Sequence, residues 1–442
     1  MKRVNIITLG CSKNDVDSAQ MRALLEGTEY EYTESLTEAD AVVVNTCGFI
    51  DAAKEESIDA IMTIAQEKTQ GRVEHLLLAG CLAQRYPNEL MEQIPEVDGI
   101  IGVGHIGSIM EALDSIERGE RPQATDQMER PYLEKLRRPT VSITEYVKIS
   151  EGCNNRCTYC IIPKLKGNNR SRSMEDIVSE VKDLVERGAR EIILIAQNTT
   201  DYGIDLYGEY RLRDLLHHLG EIENLKWLRL MYAYPDHFDD ELIEEMATNP
   251  KIVPYMDMPL QHTEDGILKR MNRKTSRRDI IQVMEKLREK IPQLVLRTTY
   301  LVGFPGETEE EFQALLDFIE SHPIERVGSF AYSREEDTPA YDLPHQVDDE
   351  IKVARQNRLM EVQRAVSEEA LQRFEGTEQE VLLTEMVEEG LYEGRSAYDA
   401  PDIDGAVFVR AQGELKLPSF AKVRITGTTE YDMEGDFIEY SK

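Results

Sequence analysis

Three cysteines within eight residues constrain this chain more than any other feature, because their sulfurs must converge on one centre or disappear into a core. They are Cys153, Cys157 and Cys160, with three and then two residues between them. Such spacing makes a compact loop of soft thiolate donors. Three thiolates are one short of the closed tetrahedral set that structural zinc takes. On a 4Fe-4S cluster they leave one iron free for a small molecule. A zinc loop completed by an oxygen or nitrogen ligand from elsewhere, or three unrelated core cysteines, are the alternatives. Tyr159 stands directly before the last cysteine, giving the pattern Cys-x3-Cys-x-aromatic-Cys.

Residues 1 to about 117 alternate strand and helix. Apolar strands are expected at Val4–Leu9, Ala41–Asn45, Leu76–Ala79 and Val97–Val103, with helices over about Asp15–Glu26 and Asp51–Glu67. Continuous apolar strands between helices predict a parallel sheet covered on both faces. Cys11, Cys47 and Cys81 each fall one or two residues past the end of such a strand. In an open parallel sheet the carboxyl ends of the strands line one edge, where ligands bind. A single cysteine there is usually a small apolar residue; three in the same setting predict a second three-thiolate site.

From Asp114 to Pro139 the chain turns polar, with Gly119, Pro122, Pro131 and Pro139, and reads as a linker. A second alternating series follows, with strands at Tyr146–Ser150, Glu191–Ala196, Trp227–Met231, Tyr255–Met258, Val295–Val302 and Arg326–Tyr332. Helices fall at Met174–Arg187, Phe238–Ala247, Arg277–Lys290 and Thr308–Glu320, the last opening with a capping box, Thr308-x-x-Glu311. Gln197 and Asn198, after the second strand, could offer amide hydrogen bonds to a ligand or begin a turn. Arg297 lies inside a strand, free to face inward toward a carboxylate ligand or to pair with an acidic neighbour. Lys164, Lys166, Arg170 and Arg172 could receive an anion or form a solvated loop. A helical stretch at about Asp348–Arg373 leads to short alternating segments punctuated by turns, a small five-stranded barrel.

With 41% hydrophobic and 31% charged residues, the composition is that of a soluble globular chain. No apolar run approaches bilayer length, and the one near Met1 is too short for a signal peptide. Six cysteines make no disulfide framework in 442 residues, so a reducing cytoplasm is the expectation. The net charge of -33 disfavours nucleic acid and attracts basic proteins. Residues 375–442 alone hold 16 Asp and Glu against 6 Lys and Arg, the wrong sign for an RNA groove.

The loop Cys153–Cys160 with Tyr159 resembles that of radical S-adenosylmethionine (SAM) enzymes. With Cys11, Cys47 and Cys81, the resemblance sharpens to their methylthiotransferase branch, covering essentially the whole chain. It implies an amino-terminal α/β domain over 1–117 and a partial TIM-type (β/α)6 radical SAM core over 139–375. A small antiparallel TRAM barrel over 377–442 completes it. It also implies two 4Fe-4S clusters, one held by Cys11, Cys47 and Cys81 and one by Cys153, Cys157 and Cys160, facing each other across one cavity. SAM would bind near Tyr159, Gln197 and Arg297, and a low-potential electron donor would act as partner. The segments Met231–Phe238 and Met258–His262 look like those of the branch acting on a ribosomal protein. The implied reaction is methylthiolation of the β-carbon of an aspartate in the basic small-subunit protein S-twelve, with no membrane and no tRNA partner. The other readings are a tRNA adenosine methylthiotransferase and a non-catalytic iron-sulfur carrier. Deoxyadenosine formation from SAM separates the carrier from the enzymes.

Overall fold

The computed structural model describes residues 2–126 and 132–441. The chain forms two compact units, one of residues 1–211 with 333–341 and one of residues 212–332 with 342–442.

In the first unit, β1 (Lys2–Thr8), β2 (Tyr30–Tyr32), β3 (Ala41–Thr46), β4 (His75–Ala79), β5 (Gly99–Ile101) and β6 (Gln123–Ala124) form a parallel sheet in the order β2-β1-β3-β4-β5-β6. The apolar runs dictate this. Val42, Val44, Leu76 and Leu78 point to one face and Val4, Val43 and Leu77 to the other, and both faces carry a buried cluster under helices. β6 lies inside the stretch expected to be linker. Two residues pairing with Ile100 and Ile101 are too short to show a pattern in sequence. The helix Ile109–Glu117 likewise takes in Asp114. Pro131, also assigned to that linker, lies outside the described residues.

The same unit continues with β7 (Thr144–Lys148), the short antiparallel pair β8 (Ser150–Glu151) and β9 (Arg170–Ser171), and β10 (Glu191–Ile195), which runs parallel to β7.

The second unit holds β11 (Trp227–Leu230), β12 (Ile252–Asp257), β13 (Val295–Val302) and β14 (Arg326–Ala331), paired in sequence order and parallel. Burial along β13 alternates, with Leu296, Thr298 and Tyr300 buried and Arg297, Thr299 and Leu301 only partly covered. The helix Glu309–Ser321 starts at the Thr308–Glu311 capping box. The helix Asp349–Leu371 lies along β14 and fastens to its backbone. Gln356 donates to Ser329 O (2.6 Å), and Ser367 donates to Glu325 O just before the strand (2.9 Å). Polar side chains thus face inward on this helix, which blurs its apolar period.

The tail is a closed barrel of β15 (Glu378–Glu388), β16 (Leu391–Ser396), β17 (Val407–Arg410), β18 (Ser419–Thr428) and β19 (Met433–Tyr440) in the order β15-β16-β17-β19-β18. All its pairs are antiparallel except β17 with β19. Its loop at 397–404 meets the early part of the second unit's parallel strands. Arg229 donates to Ala397 O (3.1 Å), Tyr255 to Asp404 (2.6 Å), and Arg326 pairs with Asp399. No helix among the described residues is long and apolar enough to cross a membrane.

Candidate active site: two cysteine triads

β1, β3 and β4 are adjacent and parallel, so their carboxyl ends stand side by side. Cys11 caps the helix that follows β1, Cys47 directly follows β3, and Cys81 is the second residue after β4. Buried polar side chains lace the three strand ends together. Asn14 donates to Leu9 O (2.7 Å) and Thr46 O (3.2 Å), Asn45 donates to Asn14 O (3.0 Å), and Thr46 donates to Ala79 O (2.6 Å). Ser57 receives the Cys47 N–H and returns its own proton to Cys47 O. Two glycines make room. A Cβ on Gly10, at φ +94°, would lie 2.9 Å from the Cys47 sulfur, and one on Gly80 would lie 2.5 Å from Thr46 O.

The second triad sits in a loop closed by the β8–β9 pair. Gly152 turns the chain at φ +81°, where a Cβ would strike Asn168 O at 2.1 Å. Cys153 then donates its N–H to Gly167 O (3.1 Å), and Cys160 donates to Cys157 O (3.1 Å). Cys157 is buried, and Cys153 and Cys160 are half-buried. The two triads are neighbours within one unit, because Cys81 packs against Ile161 and Leu165, just beyond Cys160. None of the six cysteines is in a disulfide. Among the described residues no three His, Cys, Asp or Glu side chains are gathered to share a single metal ion. A four-iron cluster takes one thiolate per iron and does not require that.

Residues close in sequence to both triads form a buried box of charge. Lys148, at the end of β7, pairs with Asp17 of the helix begun by Cys11 and with Glu151, two residues before Cys153. Lys166 lies 2.9 Å from Glu151 and 3.9 Å from Asp17. All four side chains are nearly inaccessible to solvent. Burial would raise the Glu151 carboxyl, but the two lysines pull it below the usual carboxylate range. Lys166 and Arg172 are therefore buried ion-pair partners and not a solvated loop, whereas Lys164 stays exposed. Sequence reasoning missed Asp17, Lys148 and Glu151, since partners 131 residues apart leave no local pattern.

Gln197 donates its amide to Glu151 (2.7 Å), and its Oε1 is buried with no hydrogen-bond partner among the described residues. That orphaned acceptor fits a cationic amino group. Tyr159 is half-buried in the loop of the second triad. In the second unit, the Arg297 guanidinium lies between Asp257 (3.1 Å) and Asp404 (3.4 Å). The other Asp257 oxygen accepts the Tyr232 N–H (3.0 Å). Tyr232, His237 and Gln261 all hold positive φ, at 61°, 63° and 70°, just past the carboxyl ends of β11 and β12. Strain of that kind in bulky residues collects at functional sites.

Residues 147–319 match the radical SAM superfamily, residues 376–438 the TRAM domain, and residues 3–102 an uncharacterized protein family designated UPF0004. The chain is 48% identical over 444 residues to a ribosomal protein uS12 methylthiotransferase RimO of Desulforamulus reducens, covering 99% of this chain and 100% of that one. The chain belongs to the RimO family of radical SAM methylthiotransferases. A RimO of Clostridioides difficile is 45% identical over 440 residues, covering 99% of each chain. The radical SAM methyltransferase TsrM of Kitasatospora setae shares the fold, with TM-score 0.58 and 15% identity over 74% of this chain and 73% of that one. Membership of the RimO family makes the protein a radical SAM enzyme, with a 4Fe-4S cluster and SAM as cofactors.

Proposed function

We propose that the protein inserts a methylthio group at the β-carbon of an aspartate in ribosomal protein uS12, using two 4Fe-4S clusters. One observation supports this reading: Cys81 of one cysteine set packs against Ile161 and Leu165, just beyond Cys160 of the other. When bound, the clusters and SAM supply the radical that removes the substrate hydrogen and the sulfur and methyl that replace it. Cys153, Cys157 and Cys160 hold the SAM-binding cluster, and Cys11, Cys47 and Cys81 hold the other.

Three residues would serve SAM and the substrate. Tyr159 flanks the nucleoside, and the Gln197 Oε1 takes the amino group, its amide already oriented by Glu151. Arg297, engaged by two carboxylates, acts one step removed by holding Asp257, which in turn pins the left-handed Tyr232. A basic substrate suits the net charge of -33. A ribosomal protein as substrate places the reaction in the cytoplasm, with a low-potential electron donor.

The test is anaerobic turnover with SAM, a chemical reductant and either purified uS12 or tRNA, followed by mass spectrometry. The expected result is deoxyadenosine together with a methylthio gain on a uS12 aspartate. Methylthio-adenosine in tRNA with unmodified uS12 would overturn the substrate. Absence of deoxyadenosine would overturn the enzyme.

A further inference from the structure

The segment Ser333–Tyr341 returns to the first unit after the long excursion of residues 212–332. Glu335 is its anchor. The carboxylate accepts hydrogen bonds from Arg85 (2.8 Å) and Lys54 (2.9 Å) on one oxygen and from Ser333 (2.7 Å) on the other. The Arg85 and Glu335 side chains are each 3% exposed, so this is a buried pair and not a solvated one. Both cations stand on elements next to the amino-terminal cysteines. Arg85 ends the helix Gly80–Arg85, of which Cys81 is the second residue. Lys54 lies on the helix Asp51–Thr69, one turn before Ser57.

Direct contacts run from those elements to the backbone at Cys47. The Ser57 hydroxyl receives the Cys47 N–H (3.0 Å) and donates to Cys47 O (2.9 Å). The Arg85 guanidinium donates to Gly48 O (3.1 Å), the next carbonyl along, and to Glu336 O (2.9 Å). Gly48 packs in turn on the Cys81 helix, where a Cβ would come within 2.8 Å of Leu82 N. A ring of contacts therefore closes: Cys47 to Ser57, the Ser57 helix to Glu335 through Lys54, Glu335 to Arg85, and Arg85 back to the residue after Cys47. The segment is itself fixed at its other end, where Ala340 donates its N–H to Thr158 O (2.8 Å), next to Cys157.

We infer that Glu335 is a positioning residue for Cys47 and Cys81, acting through Arg85 and Lys54. The inference rests on the two-cluster reading above. Without the carboxylate, Arg85 is a buried cation facing carbonyl oxygens, and Lys54 is left with Asp51, whose side chain is 65% exposed. A guanidinium in that state turns toward water. Doing so releases Gly48 O and loosens the chain on which Cys47 stands. The second triad has closures that do not involve Glu335, namely the β8–β9 pair and the hydrogen bond from Cys153 N–H to Gly167 O. Loss of Glu335 should therefore be felt by one set of cysteines and not by the other.

The experiment uses the full-length chain in two backgrounds, one with Cys153, Cys157 and Cys160 replaced by Ala and one with Cys11, Cys47 and Cys81 replaced by Ala. Each receives Glu335→Ala, or the pair Arg85→Met with Glu335→Leu, which removes the clamp and leaves neither position charged. After anaerobic reconstitution the readouts are iron per chain and the electron paramagnetic resonance spectrum of the reduced protein. In the background that keeps Cys11, Cys47 and Cys81, both changes should lower iron from about four per chain to fewer than about two, or shift the g values of the cluster that remains. In the other background iron and spectrum should match the parent. Unaltered iron and spectrum in the first background would overturn the inference. An effect of Glu335→Ala that the pair does not share would also overturn it, since the pair removes the donor to Gly48 O outright. So would equal losses in both backgrounds, which would mark Glu335 as a general support of the fold; the pair keeps this distinction readable if Glu335→Ala does not fold. If the chain retaining the amino-terminal cysteines holds no iron before any change at 335, the two-cluster reading fails and this inference falls with it.

Discussion

At the scale of the residue, the site depends on positions where one atom more or one charge less cannot be absorbed. Gly10 is such a position. Its φ of +94° and the 2.7 Å approach of a would-be Cβ to the Cys47 side chain leave no space. If the two-cluster proposal holds, Gly10→Ala should displace Cys47 and cost the amino-terminal cluster, taking reconstituted protein from about eight irons to about four. Iron and sulfide determination reads this directly; an unchanged count would refute it. Glu151 is a second such position. Glu151→Gln leaves Lys148 and Lys166 with Asp17 alone and should destabilise the fold by about 3–5 kcal/mol, read as a fall in the denaturation midpoint. The wild-type carboxyl has its pKa depressed in the folded state, so its contribution to stability is present above the unfolded carboxylate value and fades as pH falls through the folded one. The difference in stability between wild type and Glu151→Gln should therefore shrink on acidification below about pH 4.

At the scale of the element, the sequence signals that succeeded were those repeated along several residues. The strand Val295–Val302 and the helix behind the Thr308–Glu311 box were both expected, and both appear in the fold. Removing the cap hydroxyl by Thr308→Ala should cost about 1 kcal/mol, measurable by urea denaturation. What periodicity left out was how elements are fastened by one another. β6 is two residues that exist because β5 offers its edge. The helix Asp349–Leu371 turns Gln363 and Ser367 inward because Ile324 O and Glu325 O, just before β14, accept hydrogen bonds from them. The tail loop at 397–404 is another case, tied to the parallel strands by buried ion pairs. Asp399→Ala would strand Arg326, which is 4% exposed, and should cost about 3–5 kcal/mol. A loss below 1 kcal/mol would mean that the loop is held by something else.

At the scale of the whole molecule, net charge governs the encounter with substrate more than any single contact does. The acidic tail includes Glu385, Glu388, Glu389 and Glu393 on the β15–β16 hairpin. Reversing these four to Lys should weaken engagement of uS12 and flatten its salt dependence, since screening between low and physiological ionic strength acts on summed charge. SAM cleavage should remain, because no cysteine of either triad lies in the tail. A binding assay across salt, paired with a deoxyadenosine assay, checks both halves. Replacing Cys11, Cys47 and Cys81 should do the reverse, leaving deoxyadenosine formation while abolishing methylthio transfer.

By itself the sequence determined whatever depends on local spacing or on bulk composition. Three cysteines in eight residues place three thiols in one loop, apolar runs specify parallel strands, and a cysteine falls just past each of three such strands. These are short-range regularities, and covalent connectivity enforces them. Only the tertiary structure decided which charges are solvated and which are not. Lys164 and Lys166 are two residues apart, yet one is exposed and the other lies beside Glu151, Asp17 and the Cys81 segment. Arg297 could face a ligand or a neighbour by sequence, and the fold gave it Asp257 and Asp404, 40 residues before it and more than a hundred after it. The physical reason is that the cost of burying a charge is set by partners that folding brings from distant parts of the chain, and no window of sequence contains them.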